Sequence, residues 1–237
     1  MISLASSAAR SPLTTTAELF DFLGSRGQPA LCQYQDQERI EISGRVLVNW
    51  ATKVANLLDM HFPTPPTRFV LVGPAHWKFF SIVLGARLVG IEPQWLSLSL
   101  ESVREEDFDD AVLVTDASAD QLSELSHMPA ELIQVDLATL ATEYGDELDP
   151  FALDFAVEVP AQPDQLLARI VSTPLPPNRS GNTIIAEQAE AEVVPPAELV
   201  EVALGTWAGG SSLVISDAEN LETALRQEAP RFSVRPR

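Results

Sequence analysis

Residues 67–95, TRFVLVGPAHWKFFSIVLGARLVGIEPQW, constrain what this chain can fold into more than any other stretch. Phe69-Val70-Leu71-Val72 is a short, continuous apolar run, the pattern of a strand buried on both faces. Gly73-Pro74 ends it, because Gly allows unusual dihedrals and Pro removes a backbone donor. Over residues 75–89 apolar side chains come almost all round a helix, and only Lys78, Ser81 and Gly85 form a polar or small stripe. A helix apolar on most faces is buried on most faces. This one is too short, and with Lys78 and Arg87 too charged, to span a membrane. Gly90 can cap it and residues 91–95 can return as a strand. Strand, helix and strand within one such stretch make a βαβ unit, right-handed by default.

The 237 residues suit a single α/β domain with a sizeable core, loop-rich over about 173–196. Charge narrows the partners. Fifteen basic residues against 34 acidic ones leave a net charge of −19, which repels phosphate backbones and anionic membranes. Neither nucleic acid nor a membrane is an expected partner. Lys53 and Lys78 are the only lysines. A single cysteine, Cys32, excludes an internal disulfide and suits the reducing cytoplasm. The first 13 residues, MISLASSAARSPL, lack the basic start and long apolar run of a signal peptide.

In chain order, residues 1–14 read as loosely ordered. Thr15-x-x-Glu18 is a capping box opening a first helix with Leu19, Phe20 and Phe22. Residues 30–34 and 39–43 flank the polar turn Asp36-Gln37-Glu38 and read as a β-hairpin. Ser43 caps an amphipathic helix. Leu47, Trp50, Ala51, Val54, Leu57 and Leu58 form its apolar face, and Arg45, Asn49, Lys53, Asn56 and Asp59 its polar one. Residues 96–103 read as helical, and an acidic loop follows at 105–110. Residues 111–114 and 132–135 read as buried strands with a short helix, 120–127, between them. Residues 149–159 read as a further helix and 166–171 as a strand. The Pro-rich run 173–181 is a loop. Residues 182–194 are acidic and Ala-rich without a clear pattern. Pro195-Pro196 starts a helix, residues 207–211 turn the chain, and Leu213-Val214-Ile215 is a strand. Ser216-x-x-Glu219 reads as a second capping box for a last helix lined by Leu221, Leu225 and Ala229. Arg231, Arg235 and Arg237 make the tail a local basic exception. The expected fold is α/β: a mostly parallel sheet flanked by helices, with an N-terminal helix plus β-hairpin.

These pieces, in this order, resemble the N-terminal part of the adenylate-forming, AMP-binding enzymes, which include the acyl-CoA synthetases. Glu41-Ile42-Ser43 entering a helix with Ala55-Asn56-Leu57-Leu58 looks like their first box. Residues 68–74 and the helix to Gly90-Ile91-Glu92-Pro93 look like the next segment, and Ala208-Gly209-Gly210-Ser211-Ser212-Leu213-Val214 is similar to a later strand. The whole chain most resembles a short actinobacterial family related to this N-terminal part alone. What the resemblance leaves out is equally specific. Adenylation uses a Gly/Ser/Thr-rich loop whose N–H groups approach a triphosphate. Here the corresponding stretch is Ile170-Val171-Ser172-Thr173-Pro174-Leu175-Pro176-Pro177, with prolines for donors and no Lys after it. Tyr144-Gly145-Asp146-Glu147 only echoes the family's aromatic-Gly-x-Thr-Glu segment. The acidic ribose-binding box and the C-terminal lid with its catalytic Lys have no counterpart. The resemblance thus implies a scaffold without catalytic residues.

Other chemistries leave little trace. His61, His76, His127 and Cys32 show no zinc spacing, and there is no dinucleotide, P-loop or hydrolase-elbow motif. The loop 105–110 lacks the ligand order of a calcium site and reads as solvated. No metal or cofactor is expected. The candidate ligand contacts are His76 at the start of the central helix, Trp95 and Trp207 at strand or turn edges, and Gly209 and Gly210, which can approach a phosphate or make a tight turn. The expected role is non-catalytic, through a homodimer or protein partner. The alternatives are a binder of an acyl, CoA or nucleotide ligand, and an adenylation component completed by a separate chain.

Overall fold

A computed structural model describes residues 11–35, 38–139, 141–186 and 192–236. The turn expected at Asp36-Gln37, residues 1–10 of the stretch expected to be loosely ordered, residues 187–191 of the acidic run and Arg237 lie outside the described residues.

Local signals place the first elements as expected. Helix α1 (Thr16–Gly24) opens with the complete Thr15/Glu18 capping box. Strands β1 (Pro29–Gln35) and β2 (Glu38–Ser43) pair antiparallel. Ser43 then accepts from the Val46 N–H to start α2 (Gly44–His61). Next come β3 (Arg68–Val72), α3 (Trp77–Leu88) and β4 (Pro93–Ser97), with β3 and β4 parallel neighbours as the central stretch predicts. Gly90, at φ +79°, lets the chain leave α3. Strands β5 (Ala111–Thr115), β6 (Glu131–Gln134) and β7 (Ala152–Asp154) complete an all-parallel sheet of order β4-β3-β5-β6-β7. The short helix between β5 and β6 is α4 (Ala119–Leu122), and α5 (Phe155–Glu158) follows β7.

A second sheet accompanies the first, where the sequence suggested one. Strands β8 (Thr183–Ala186), β9 (Glu192–Val194), β10 (Leu213–Ser216) and β11 (Phe232–Pro236) join the hairpin in the order β2-β1-β10-β8-β11-β9. All its pairs except β1–β2 are parallel. Helix α6 (Leu199–Ala208) precedes β10 and α7 (Leu221–Glu228) follows it. The α/β class, parallel sheets and flanking helices agree with the sequence reading.

One core joins both sheets. Leu31, Ile185, Leu213 and Ile215 from the hairpin sheet and Phe69, Leu71, Val112 and Ile133 from the other pack on a shared layer of α1, α2, α3 and α6. The outer face of the hairpin sheet is covered by Ala224 and Leu221 at α7, and that of the β4-β3-β5-β6-β7 sheet by Phe108, Leu122 and Leu125. Because α3 lies inside this layer, even its polar stripe is buried: Lys78 is 2% exposed and Ser81 0%.

Several sequence readings are corrected. Residues 149–159 form β7 and α5 in place of one helix, because β6 offers an edge to 152–154; Phe151 is left 88% exposed. Residues 96–103 extend β4 and then make only a 3-10 turn, Leu100–Val103. Residues 166–171 are not a strand. They are tied to α2 by Asn56, whose Nδ2 donates to the Pro163 and Gln165 carbonyls and whose Oδ1 accepts from the Leu167 and Ala168 N–H groups. Asn56 is therefore buried, not on a solvated face. Ser216 sits in β10 and caps nothing; Asp217 instead accepts from Asn220 ahead of α7.

The layer depends on a close approach. A Cβ on Gly85 of α3 would lie 2.6 Å from Val54 Cγ1 and 2.8 Å from the Ala51 carbonyl oxygen of α2. Overpacking of this kind costs about 1–3 kcal/mol. Gly85→Ala is expected to lower the unfolding free energy by that amount, read by far-ultraviolet circular dichroism as a lower urea midpoint at an unchanged slope.

Candidate functional site

The carboxyl ends of the parallel strands meet in a cleft of about 470 Å³. Open α/β sheets bind ligands at such ends, and the volume lies in the usual range for small-molecule sites. One wall comes from the hairpin sheet: Gln33 of β1, Ile185 of β8, Ile215 and Ser216 of β10, and Pro236 of β11. The other comes from the turn after β3, Pro74 to His76, with Leu98 beyond β4 and Leu137 beyond β6. Asp217 and Glu219 stand where the chain leaves β10.

His76 is placed by local necessity. The turn before it is tight: a Cβ on Gly73 would lie 2.5 Å from the Phe79 ring and 2.9 Å from Asp116 Oδ1. Gly73 is needed for space, since its φ is not positive. His76 then becomes the N-cap of α3, in extended conformation, with Nδ1 accepting from the Lys78 N–H at 3.3 Å. The preceding free amide of the helix, Trp77 N–H, is taken by Gln33 Oε1 at 2.9 Å, while Gln33 Nε2 donates to Gln35. The helix start is thus satisfied by side chains from both walls.

The protonation state of His76 follows. Burial, and then the Lys78 ammonium, push its pKa down to about 3; the Leu137 backbone and Asp136 only partly offset them. The ring is neutral at physiological pH. With Nδ1 accepting, the remaining ring proton sits on Nε2. Nε2 is buried and meets hydrogen-bond geometry with no group among the described residues. Lys78 lies behind it, its Nζ donating to the Asp136 and Ala138 carbonyls at 2.6 and 2.8 Å, and burial lowers its pKa. Asp116, at the end of β5, is pushed up to about 6 by burial.

The other sequence candidates lie elsewhere. Trp95 and Trp207 are fully buried, and their Nε1 groups donate to the Gly73 and Ala30 carbonyls at 2.9 and 2.8 Å. They build the core and do not reach the cleft. Gly209 and Gly210 end α6: their N–H groups go to the Gly205 and Trp207 carbonyls, and Gly210 takes φ +78°. A turn, with its donors occupied, is what they form. In the loop before β7, the Tyr144 N–H goes to Asp154 and the Gly145 N–H to Asp136, and neither residue lines the cleft. Asp107, Asp109 and His127 converge at the acidic loop, exposed, and Arg68 binds the same loop through the Asp107 carbonyl and the Glu106 and Asp110 side chains. Sequence reasoning missed Gln33, Leu137, Asp217 and Glu219. Each lies in or just beyond a strand, and no local pattern says that the ends of two different sheets converge.

The architecture is that of the N-terminal part of the acyl-CoA synthetases. An acyl-CoA synthetase from Brucella canis superposes with a TM-score of 0.68 at 17% identity, over 92% of this chain and 46% of that one. Acetoacetyl-CoA synthetase from Streptomyces lividans gives 0.61 at 14% over 86% and 39%, and coronafacic acid ligase from Pectobacterium brasiliense gives 0.62 at 12% over 92% and 49%. The chain therefore spans less than half of each of these enzymes. No protein-family model matches it. In sequence it is similar to the TIGR03089 family protein of Mycobacterium tuberculosis H37Rv, 29% identical over 203 residues, 78% of this chain and 76% of that protein. No helix among the described residues is long and apolar enough to cross a membrane.

The neutral state of His76 has a pH signature. Its folded pKa lies below the unfolded value, so the unfolded chain binds the extra proton first. The contribution is complete above the unfolded pKa of about 6.5 and is lost as pH falls toward about 3. Between about pH 8 and 5.5 this amounts to about 1.4 kcal/mol. His76→Asn, which keeps a capping oxygen, is expected to flatten that part of the stability profile in urea titrations at each pH.

Proposed function

We propose that this chain is a non-catalytic binding protein on an adenylate-forming scaffold, and that the cleft between its sheets holds a small molecule. The observation that carries the reading is the state of residues 170–177, where the resemblance would put a phosphate-binding loop, and of Arg179 just after them. Thr173 N–H donates to Thr16 Oγ1 at 3.1 Å and its carbonyl accepts from Thr16 N–H at 2.9 Å. Leu175 N–H goes to the Thr14 carbonyl and Arg179 N–H to that of Gly205. Pro174, Pro176 and Pro177 have no N–H to give. These donors fasten the segment to α1 and α6, whereas a triphosphate site needs them aimed at a ligand. A filled start to α3 supports the same reading. So does the cleft, which has no lysine or arginine among its described lining residues.

Pyrophosphate exchange by the isolated chain, with ATP and a range of carboxylic acids, is expected to stay at background. Exchange above background overturns the reading. Exchange that appears only with a second protein favours an adenylation component completed in trans. In a thermal-shift panel, a ligand at about 100 times its dissociation constant adds about 2.7 kcal/mol. ATP, AMP, CoA and fatty acyl-CoA are expected to give no shift; a shift favours a cleft for an acyl, CoA or nucleotide ligand.

A protein partner is the second reading, supported by exposed apolar side chains. Phe151 is 88% exposed and Leu167 71%, and Ile170 and Val171 are also exposed. Such groups tend to be used in association. On this reading the chain is a homodimer in the cytoplasm, where its one buried thiol, Cys32, suits reducing conditions. Sedimentation at micromolar concentration is expected to show the dimer, and a clean monomer removes that part of the proposal.

A further inference from the structure

We propose that the amino-terminal ends of β8, β10 and β11 form a docking surface for an acidic polypeptide segment of a partner protein, gripped by Arg179 and Arg231. The inference goes beyond the readings above, because it uses neither the cleft nor the exposed apolar residues between 151 and 171. The sequence marks Arg231, Arg235 and Arg237 as a basic tail, and β11 separates Arg231, just before its start, from Arg235 near its other end. Arg231 joins other arginines instead. Its side chain crosses Gly181, where a Cβ would lie 2.2 Å from Arg231 Cδ, and its Nη1 donates to the Ser180 carbonyl at 3.4 Å. Gly181 takes φ +119°, so the turn and the close approach both call for glycine. Arg179, just before it, lays its stem on Gly205 of α6 and its guanidinium carbon 6.0 Å from the centroid of the Phe232 ring. The Gly181 N–H donates to Ser211 Oγ, and the Ser211 carbonyl accepts from Arg26 Nη1 at 3.3 Å, which brings a third guanidinium to the same end of the sheet.

Charge gives this surface its meaning. The chain has 34 acidic residues, and ion pairs engage Arg39, Lys53, Arg68, Arg87, Arg104 and Arg226. Arg179 and Arg231 meet no carboxylate among the described residues, and the Arg179 N–H groups meet no acceptor there. An exposed ion pair contributes little to folding, so leaving these groups open costs the fold little and keeps their donors for a partner. The planar guanidinium fork matches a carboxylate with two parallel hydrogen bonds. Phe232, 39% exposed, offers an apolar contact beside Arg179. Aromatic and arginine side chains together are the usual anchors of a protein interface. The net charge of −19 chooses among acidic partners. A nucleic acid or an anionic bilayer extends beyond the cluster and meets the acidic body of the chain, whereas a short acidic segment engages the arginines alone.

Fluorescence anisotropy with the full chain tests this. The probes are a fluorescein-labelled peptide of repeated Asp-Phe-Glu, the same peptide with Asn and Gln for its acids, and a single-stranded RNA of equal charge. At about 50 mM salt the acidic peptide is expected to bind with a dissociation constant below about 1 mM, and the neutral peptide and the RNA at least about tenfold more weakly. Raising the salt to about 500 mM is expected to remove most of the binding. Arg179→Glu and Arg231→Glu are each expected to weaken the acidic peptide at least about fivefold, and the milder Arg231→Gln about threefold. Arg169→Glu makes the same charge change on the exposed segment that Asn56 holds, and is expected to leave the affinity within about twofold. Far-ultraviolet circular dichroism checks that each variant is folded. Equal loss in Arg169→Glu and Arg231→Glu overturns the inference, because net charge alone would then explain the binding. So does RNA or neutral peptide bound as tightly as the acidic one, or no binding of the acidic peptide. Self-association of the chain that Arg231→Glu abolishes assigns the surface to a second copy and also overturns it.

Discussion

The contact between α2 and α3 is the constraint on which the rest of the structure depends. Gly85 lets α3 lie against the Ala51 carbonyl and the Val54 side chain, so the helices form one thin layer that both sheets share. Two sheets on a single helical layer bury α3 all round, and this is why its sequence has no polar face. Lys78 is the exception that proves useful: a buried ammonium ties the start of α3 to the loop after β6 through two carbonyl bonds. Burial of such a charge is tolerable only because these acceptors replace water. The same loop then carries Leu137 to the cleft, so the packing of the layer and the shape of the site are set together.

The chemistry of the site is governed by which backbone groups are left over. At helix starts and in Gly-rich loops, free N–H groups attract anions. Here the first amides of α3 go to Gln33 and His76, and those of residues 173, 175 and 179 go to α1 and α6. The other ring nitrogen of His76, Nε2, is enclosed in the protein beside the Leu137 backbone. Phosphate recognition relies on several convergent donors and positive charge, and these amides are already taken within the fold.

The sequence was most readable where structure is local. The Thr15/Glu18 box, the hairpin, the Ser43 cap and the β3-α3-β4 unit each follow from residues within a few positions of one another. The second sheet was harder to read, because β8, β9 and β11 are short and their neighbours are distant in sequence. Residues 182–186 fell within an acidic, Ala-rich run without a clear pattern, because Thr183-Ile184-Ile185 is too brief to stand out. Asn56 was misassigned for a related reason. Helical spacing put it on the polar face, but residues 163–168 fold over that face and take all its hydrogen bonds. Of the site, His76 was legible at the start of the central helix, just after the strand-ending Gly73-Pro74. Trp95 and Trp207 looked like edge residues, yet their ring N–H groups find carbonyls inside the core, which removes any need for water.

The placement of β11 gives the two sheets different histories during synthesis. The β3–β7 sheet is built from residues 68–154, a continuous section of chain, and each of its strands has its partners once that section has emerged. In the hairpin sheet, β11 lies between β8 and β9, strands that precede it in the chain. Those two have nothing to join them until residues 232–236 arrive and pair with both. One wall of the cleft is therefore available early, whereas the other is assembled last, by contacts that close long stretches of chain. Until that closure the edge of β8 stands open, so the ribosome-bound chain passes through a stage in which half the cleft exists beside an unpaired strand.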